Sequence, residues 1–204
     1  GRQQAMEALG AEVIRITGNY DDSIKQSDKE ARTHGRIMVS DTSYIAYMDI
    51  PRDVALGYTV MLAEAVEQMQ GAIPTHVFIQ GGVGGLAASV CAYFWDLWGP
   101  SRPRFIVVEP EQANCLQQSA KAGKPVTVEG DLETLMAGLA CGEVSLLAWE
   151  ILKPGINDFM TVSEDSIAPC MRLLAQGNPA IEAGESAVAG IAALIAARAD
   201  DTMS

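Results

Sequence analysis

The sequence is short of the residues that build metal sites, disulfide frameworks and cationic surfaces. It has two histidines, His34 and His76, and neither has a histidine or cysteine partner at ligand spacing, so both read as structural and no metal is expected. Its four cysteines, Cys91, Cys115, Cys141 and Cys170, stand far apart with no CxxC pair. That spacing, among apolar neighbours, points to buried thiols in a reducing, cytoplasmic compartment rather than to disulfides. Cations are scarce: 14 Lys+Arg face 26 Asp+Glu, for a net charge of -12. An acidic chain without a basic patch has no grip on nucleic acid or on an anionic membrane. No run of 18 apolar residues exists, so no membrane-spanning helix is expected; the longest apolar helical segment, Ala187–Ala197, reads as buried.

Two familiar catalytic loops are absent as well. No Lys-Ser or Lys-Thr follows the glycine-rich stretch, which excludes a Walker A loop. Gly184-Glu185-Ser186-Ala187-Val188 misses the nucleophile elbow, which needs glycine where Val188 stands.

Strand-like and helix-like segments alternate along the chain. Val13–Ile16, Ile37–Val39, Val77–Ile79, Phe105–Val108, Val126–Val128 and Phe159–Val162 read as strands. Asp21–Ala31, Val54–Gln70, Gly84–Leu97, Glu111–Ala120, Asp131–Leu139, Leu146–Leu152, Glu164–Ala175 and Glu185–Ala199 carry a helical period. Such alternation predicts an α/β fold with a mostly parallel sheet flanked by helices. A boundary is expected near Gly35, because the first 35 residues are too few for a core of their own. Residues 1–35 read as a remnant of a small domain and residues 36–204 as a large domain. The chain opens GRQQAMEALGAEVIRI, without an initiator methionine or a leader pattern, which reads as the middle of a helix–strand unit; a truncated chain is expected.

One stretch of the sequence is rich where the rest is ordinary. His76–Ser89 reads HVFIQGGVGGLAAS, with four glycines in the five positions Gly81, Gly82, Val83, Gly84 and Gly85. An apolar strand delivers the chain to a turn that glycine can make cheaply, and a helix follows with its first amides free. That is the arrangement of an anion site. Gly82-Val83-Gly84-Gly85-Leu86-Ala87 also fits G-x-G-x-x-A, and Glu109 ends the next strand where an acid could meet a ribose. The glycines alone leave three readings open: a bare structural turn, the phosphate of a small cofactor, or a dinucleotide.

Several further stretches narrow the choice. LGAEVIRITGNYDDS, SDTSYIAYMDIPRDVALGYTVMLAEAVEQM, PTHVFIQGGVGGLAAS, FIVVEPEQANC, LMAGLACGEVSLLAWEIL and GESAVAG together resemble the diaminopropionate ammonia-lyase family. These are pyridoxal 5'-phosphate enzymes of fold type II, the fold of tryptophan synthase β and threonine dehydratase. The resemblance implies α,β-elimination of 2,3-diaminopropionate to pyruvate and ammonia, and a cytoplasmic homodimer acting on a small amino acid. It implies that the loop Gly81–Gly85 binds the cofactor phosphate. It also implies that Asp41, in the family's Asp-Thr motif, moves a proton or grips the substrate amines. Tyr44 and Tyr47 are candidates for the pocket wall. Glu109 matches a strand-end acid without an assigned role. Glu185 and Ser186 would start the last helix, facing the cofactor ring or anchoring its loop. The family's Schiff-base lysine lies in a Ser-Phe-Lys-type motif, and none of Lys25, Lys29, Lys121, Lys124 and Lys153 has that context. The cofactor's asparagine contact, a second catalytic aspartate and the group facing the pyridine nitrogen would also lie outside the chain. The alternatives are another pyridoxal-phosphate dehydratase or synthase of the same fold, or a non-catalytic phosphate-binding module.

Overall fold

The computed structural model describes residues 2–199. Its centre is a three-stranded parallel sheet in the order β1 (His76–Gln80), β2 (Arg104–Pro110), β3 (Asp158–Val162). The register places Phe78 beside Ile106, and Ile106 beside Asp158. The middle strand is covered on both faces, which explains its unbroken apolar run. Ile106 and Val108 point into one core layer, with Val162, Ile167, Val188 and Ala192. Phe105 and Val107 point into the opposite layers, towards Phe94 and Leu116 respectively.

Helices supply those layers. On one face lie α7 (Ile167–Ala175) and α8 (Ala189–Ala199). On the other lie α4 (Gly85–Trp98), α5 (Cys115–Ala122) and α6 (Leu146–Gly155), with α3 (Asp49–Gln68) packed on α4. Two further helices, α1 (Arg2–Ala8) and α2 (Tyr20–His34), precede α3. The sequence marks both ends of α2: Asn19 and Asp22 form a reciprocal capping box, and Gly35 closes the helix at φ 63°. All four cysteines are buried and unpaired.

Close packing of α8 on the sheet depends on one residue. A Cβ on Gly190 would stand 2.6 Å from the carbonyl oxygen of Phe78 in β1. Gly190→Ala must therefore move a helix against backbone, and should destabilise the protein by about 2–3 kcal/mol in urea unfolding.

Several expected elements are not formed. Val13–Ile16 and Ile37–Val39 are not strands: they find no pairing partner among the described residues, and Ile14, Ile37 and Val39 are 61%, 83% and 73% exposed. Strand pairing needs a neighbouring edge, which these segments lack. Val126–Val128 is also irregular, because its amides go elsewhere, Val126 to the Ser119 hydroxyl and Val128 to the carbonyl of Gly142. Asp131–Leu139 is not a helix. Its apolar period is real, since Leu132, Met136 and Leu139 are all buried. The backbone reaches that burial with Leu132 at φ 54° and a single 3-10 turn over Ala137–Leu139. The Glu164 carboxylate accepts from the Leu135 amide and the Thr134 hydroxyl, in place of helical bonds. The last helix starts at Ala189 rather than Glu185, α7 starts at Ile167 rather than Glu164, and α5 starts at Cys115 rather than Glu111.

Candidate functional site

The glycine loop occupies the carboxyl end of β1, the end of a parallel sheet at which ligands bind. Packing beneath the loop explains two of its glycines. A Cβ on Gly81 would meet Glu109 Cγ at 2.8 Å, and one on Gly84 would meet Leu152 Cδ1 at 2.9 Å. Gly84 also holds φ 100°, a left-handed conformation that side chains resist. Gly82, at φ 63°, is different: its nearest neighbours, Gly138 O and Leu139 Cδ2, lie at ordinary contact distances of 3.5 and 3.7 Å. The amides of Gly85, Leu86 and Ala87, at the start of α4, have no backbone acceptor among the described residues. They face outward from a 14-residue helix, and so favour an anion.

A cleft of about 300 Å³ opens over this loop. Asp41, from the segment between α2 and α3, overhangs it: Asp41 Oδ2 lies 3.3 Å from where a Cβ on Gly85 would be. Tyr20 from α2 and Tyr58 from α3 also line the cleft. Burial raises the pKa of both phenols, and the Asp41 charge raises each further; at Tyr20 the hydrogen bond from Thr42 works in the opposite sense. The third wall is Ala137–Leu139 with Cys141. Burial pushes the Cys141 thiol up to about 12, so it is a neutral wall group and not a thiolate. A second hollow of about 660 Å³ lies between α2 and residues 36–41, and shares Tyr20 and Asp41 with the cleft.

The remaining expected site residues fall around this cleft rather than in it, with one exception. Ser186 lines it and its hydroxyl accepts from the Gly138 amide at 2.9 Å, which pins the third wall. Glu185 faces away and pairs with Arg2 at 2.7 Å. Tyr44 and Tyr47 stack on each other, 5.0 Å between centroids, behind the Asp41 segment. The Tyr44 hydroxyl donates to Asp28, while that of Tyr47 donates to Met38 O and accepts from the Ser40 amide. They brace the segment instead of lining the cleft. Tyr20, Tyr58 and Cys141 lie in stretches that carry the resemblance, but no local feature assigns any of them to the cleft; only the packing of α2 and α3 brings the two tyrosines to Asp41.

Glu109 is fully buried under the loop. Its carboxylate accepts from the amides of Leu116 and Gln117 at 2.9 and 2.8 Å, capping α5. Cys115, at the start of the same helix, donates from its thiol to Gly82 O at 3.6 Å. Burial pushes the Glu109 carboxyl up to about 7, against the lowering effect of the two amides. Between its unfolded value near 4.5 and about 7 the folded protein binds the extra proton, so this group costs stability as pH rises through that window. At pH 7 the cost reaches about 3 kcal/mol. Unfolding free energy measured at pH 5 and pH 7 should therefore fall more steeply for the parent than for Glu109→Gln, in which this titration is gone.

All five lysines are exposed and none lines the cleft. No helix among the described residues is long and apolar enough to cross a membrane.

Comparison with known proteins bears on the family and the fold. The chain is 42% identical over 200 residues to diaminopropionate ammonia-lyase of Escherichia coli (strain K12), a match covering 96% of this chain and 50% of that protein. It is 38% identical over 202 residues to the diaminopropionate ammonia-lyase of Salmonella typhimurium, covering 95% and 50%. The crystal structure of the Escherichia coli enzyme in complex with an aminoacrylate-PLP azomethine reaction intermediate superposes with a TM-score of 0.90 at 39% identity, over 99% of this chain and 52% of that one. The chain thus spans about half the length of the curated relatives it matches. Its fold is that of the fold type II enzymes, a mainly parallel sheet flanked by helices. The family model described as "Pyridoxal-phosphate dependent enzyme" matches residues 1–203, and the chain belongs to that family.

Proposed function

We propose that the whole protein is an ammonia-lyase that converts 2,3-diaminopropionate and water to pyruvate and two ammonia, using pyridoxal 5'-phosphate. One observation carries the reading: the free amides at the start of α4 and the Asp41 carboxylate converge on one cleft. The residues fit the cofactor. An ester phosphate needs a glycine-rich loop that lets it approach the backbone and several N–H donors to spare; Gly82, Gly84 and Gly85 give the first, and the amides of Gly82, Gly85 and Leu86 have no backbone acceptor among the described residues. When bound, the cofactor supplies an electron sink for the negative charge developed at the substrate Cα.

The chain's own residues do the rest. The amides of Gly82, Gly85 and Leu86 would anchor the phosphate. Asp41 takes the place of a base or of a counter-ion for an amine, either of which suits a diamine. Tyr20 and Tyr58 flank that carboxylate and limit water around it. Ser186 holds Gly138 so that the far wall keeps its distance from Gly82. The five lysines stand away from the cleft, so the lysine that holds the cofactor belongs to chain outside these 204 residues. Residues 1–35 belong to a small lobe and residues 36–204 to the large lobe of the whole protein. A homodimer in the cytoplasm belongs to the same reading.

Ammonia and pyruvate release by the whole protein loaded with pyridoxal phosphate tests it. Turnover should be fastest with the D or L isomer of diaminopropionate. Faster turnover of threonine or serine would replace the reading with a dehydratase.

A further inference from the structure

The segment carrying Asp41 has no regular secondary structure, yet it is joined to the glycine loop by a buried polar bridge. Ser43 and Ser145, 102 residues apart, are each 1% exposed. Their hydroxyl oxygens lie 2.8 Å apart, and the Ser43 amide donates to Ser145 Oγ at 3.0 Å. Ser43 Oγ accepts from the Leu147 amide at 2.7 Å, and Ser43 O accepts from the Leu146 amide at 3.1 Å. Ser145 is the N-cap residue of α6 but makes no side-chain cap; Ser43 caps that helix from a distant part of the chain. On its other side the Ser145 amide donates to the carbonyl of Val83 at 2.9 Å, in the middle of the glycine loop.

We propose that Ser43 and Ser145 are positioning residues, a buried hydroxyl joint that fixes Asp41 relative to the phosphate loop. Two apolar side chains could fill the same space at little cost in stability, because a matched pair of buried polar groups contributes little net. They could not supply direction. The joint gives the Asp41 segment four directed bonds to one helix end, and gives that helix end one to Val83. Next to the joint, the Thr42 and Tyr20 hydroxyls lie 2.9 Å apart, and on Asp41's other side the Ser40 amide donates to the Tyr47 hydroxyl at 3.0 Å. The carboxylate is thereby held from both flanks.

The inference rests on the reading of Asp41 as the site's acid, and a double-mutant cycle tests it in the whole pyridoxal-phosphate-loaded protein. Ser145→Ala should lower kcat about 10- to 100-fold, the scale of a misplacement near 1 Å, while pyridoxal phosphate affinity stays within about threefold. In an Asp41→Asn background the same change should cost less than about threefold, because the group it positions is already gone. Ser43→Ala repeats the cycle if Ser145→Ala does not fold. Equal losses in both backgrounds would overturn the proposal, as would a fall in cofactor affinity with kcat unchanged. Amide hydrogen exchange decides it independently if the parent shows no lyase activity, an outcome that would sink the function reading alone. In Ser145→Ala the amides of Thr42, Ser43 and Tyr44 should exchange at least about tenfold faster; unchanged exchange would overturn the joint.

Discussion

Gly82→Ala is expected to weaken pyridoxal 5'-phosphate binding about 10- to 100-fold while costing only about 1–2 kcal/mol of stability. The asymmetry follows from where a side chain would go. Space exists for a Cβ at Gly82, 3.5 Å from Gly138 O and 3.9 Å from Cys141 Sγ, but both neighbours line the cleft. The added methyl would stand among the amides that meet the phosphate, and the φ of 63° adds backbone strain. Losing or lengthening one charge-assisted hydrogen bond is worth about 1.5–3 kcal/mol, which sets the expected range. Gly84→Ala should do the opposite. Its Cβ would collide with Leu152 Cδ1 at 2.9 Å and lie 3.2 Å from Ala148 Cβ, inside the core. A stability loss of about 3 kcal/mol is expected there, combining strain and overpacking. Fluorescence titration with the cofactor and urea unfolding on the same two variants separate the effects.

Asp41→Asn is expected to lower turnover of diaminopropionate about 10²- to 10⁴-fold, the usual worth of a positioned acid or base. The amide keeps the shape of the carboxylate but neither takes a proton at neutral pH nor pairs with a substrate cation. Asp41 is half-buried and accepts no side-chain hydrogen bond among the described residues, so the urea midpoint should stay put. Steady-state rates on both isomers check this. Unchanged turnover on both would remove Asp41 from the site.

The sequence made the local parts of this site legible and hid the distant ones. A strand, four glycines and a helix are contiguous, so the loop and its candidacy as an anion site could be read directly. The alternation of strand-like and helix-like segments likewise implied a parallel sheet covered by helices. Asp41 was marked by resemblance, and the structure places it against Gly85, 44 positions along the chain. By contrast, Ser43 with Ser145 and Asp21 with Gly142 are pairs separated by 102 and 121 residues. Serine and glycine carry no periodic signal, so no local pattern could reveal either pair. Periodicity misled at residues 131–139, where burial at Leu132, Met136 and Leu139 has helical spacing but Glu164 takes the hydrogen bonds a helix would use. It also misled at Glu185 and Ser186, whose capping character is spent on Arg2 and on Gly138 instead of on a helix start. Glu109, at a strand end, would meet a ribose only on the dinucleotide reading and otherwise had no assigned role. Its position under Gly81 and its two helix amides make it a cap.

The most direct test of the central claim is the position of the phosphorus atom in a crystal structure of the protein grown with pyridoxal 5'-phosphate. The account predicts phosphate oxygens within hydrogen-bond reach of the amides of Gly82, Gly85 and Leu86, in the cleft that Asp41 lines. A phosphate seated elsewhere, with those amides bonded only to water, would contradict it.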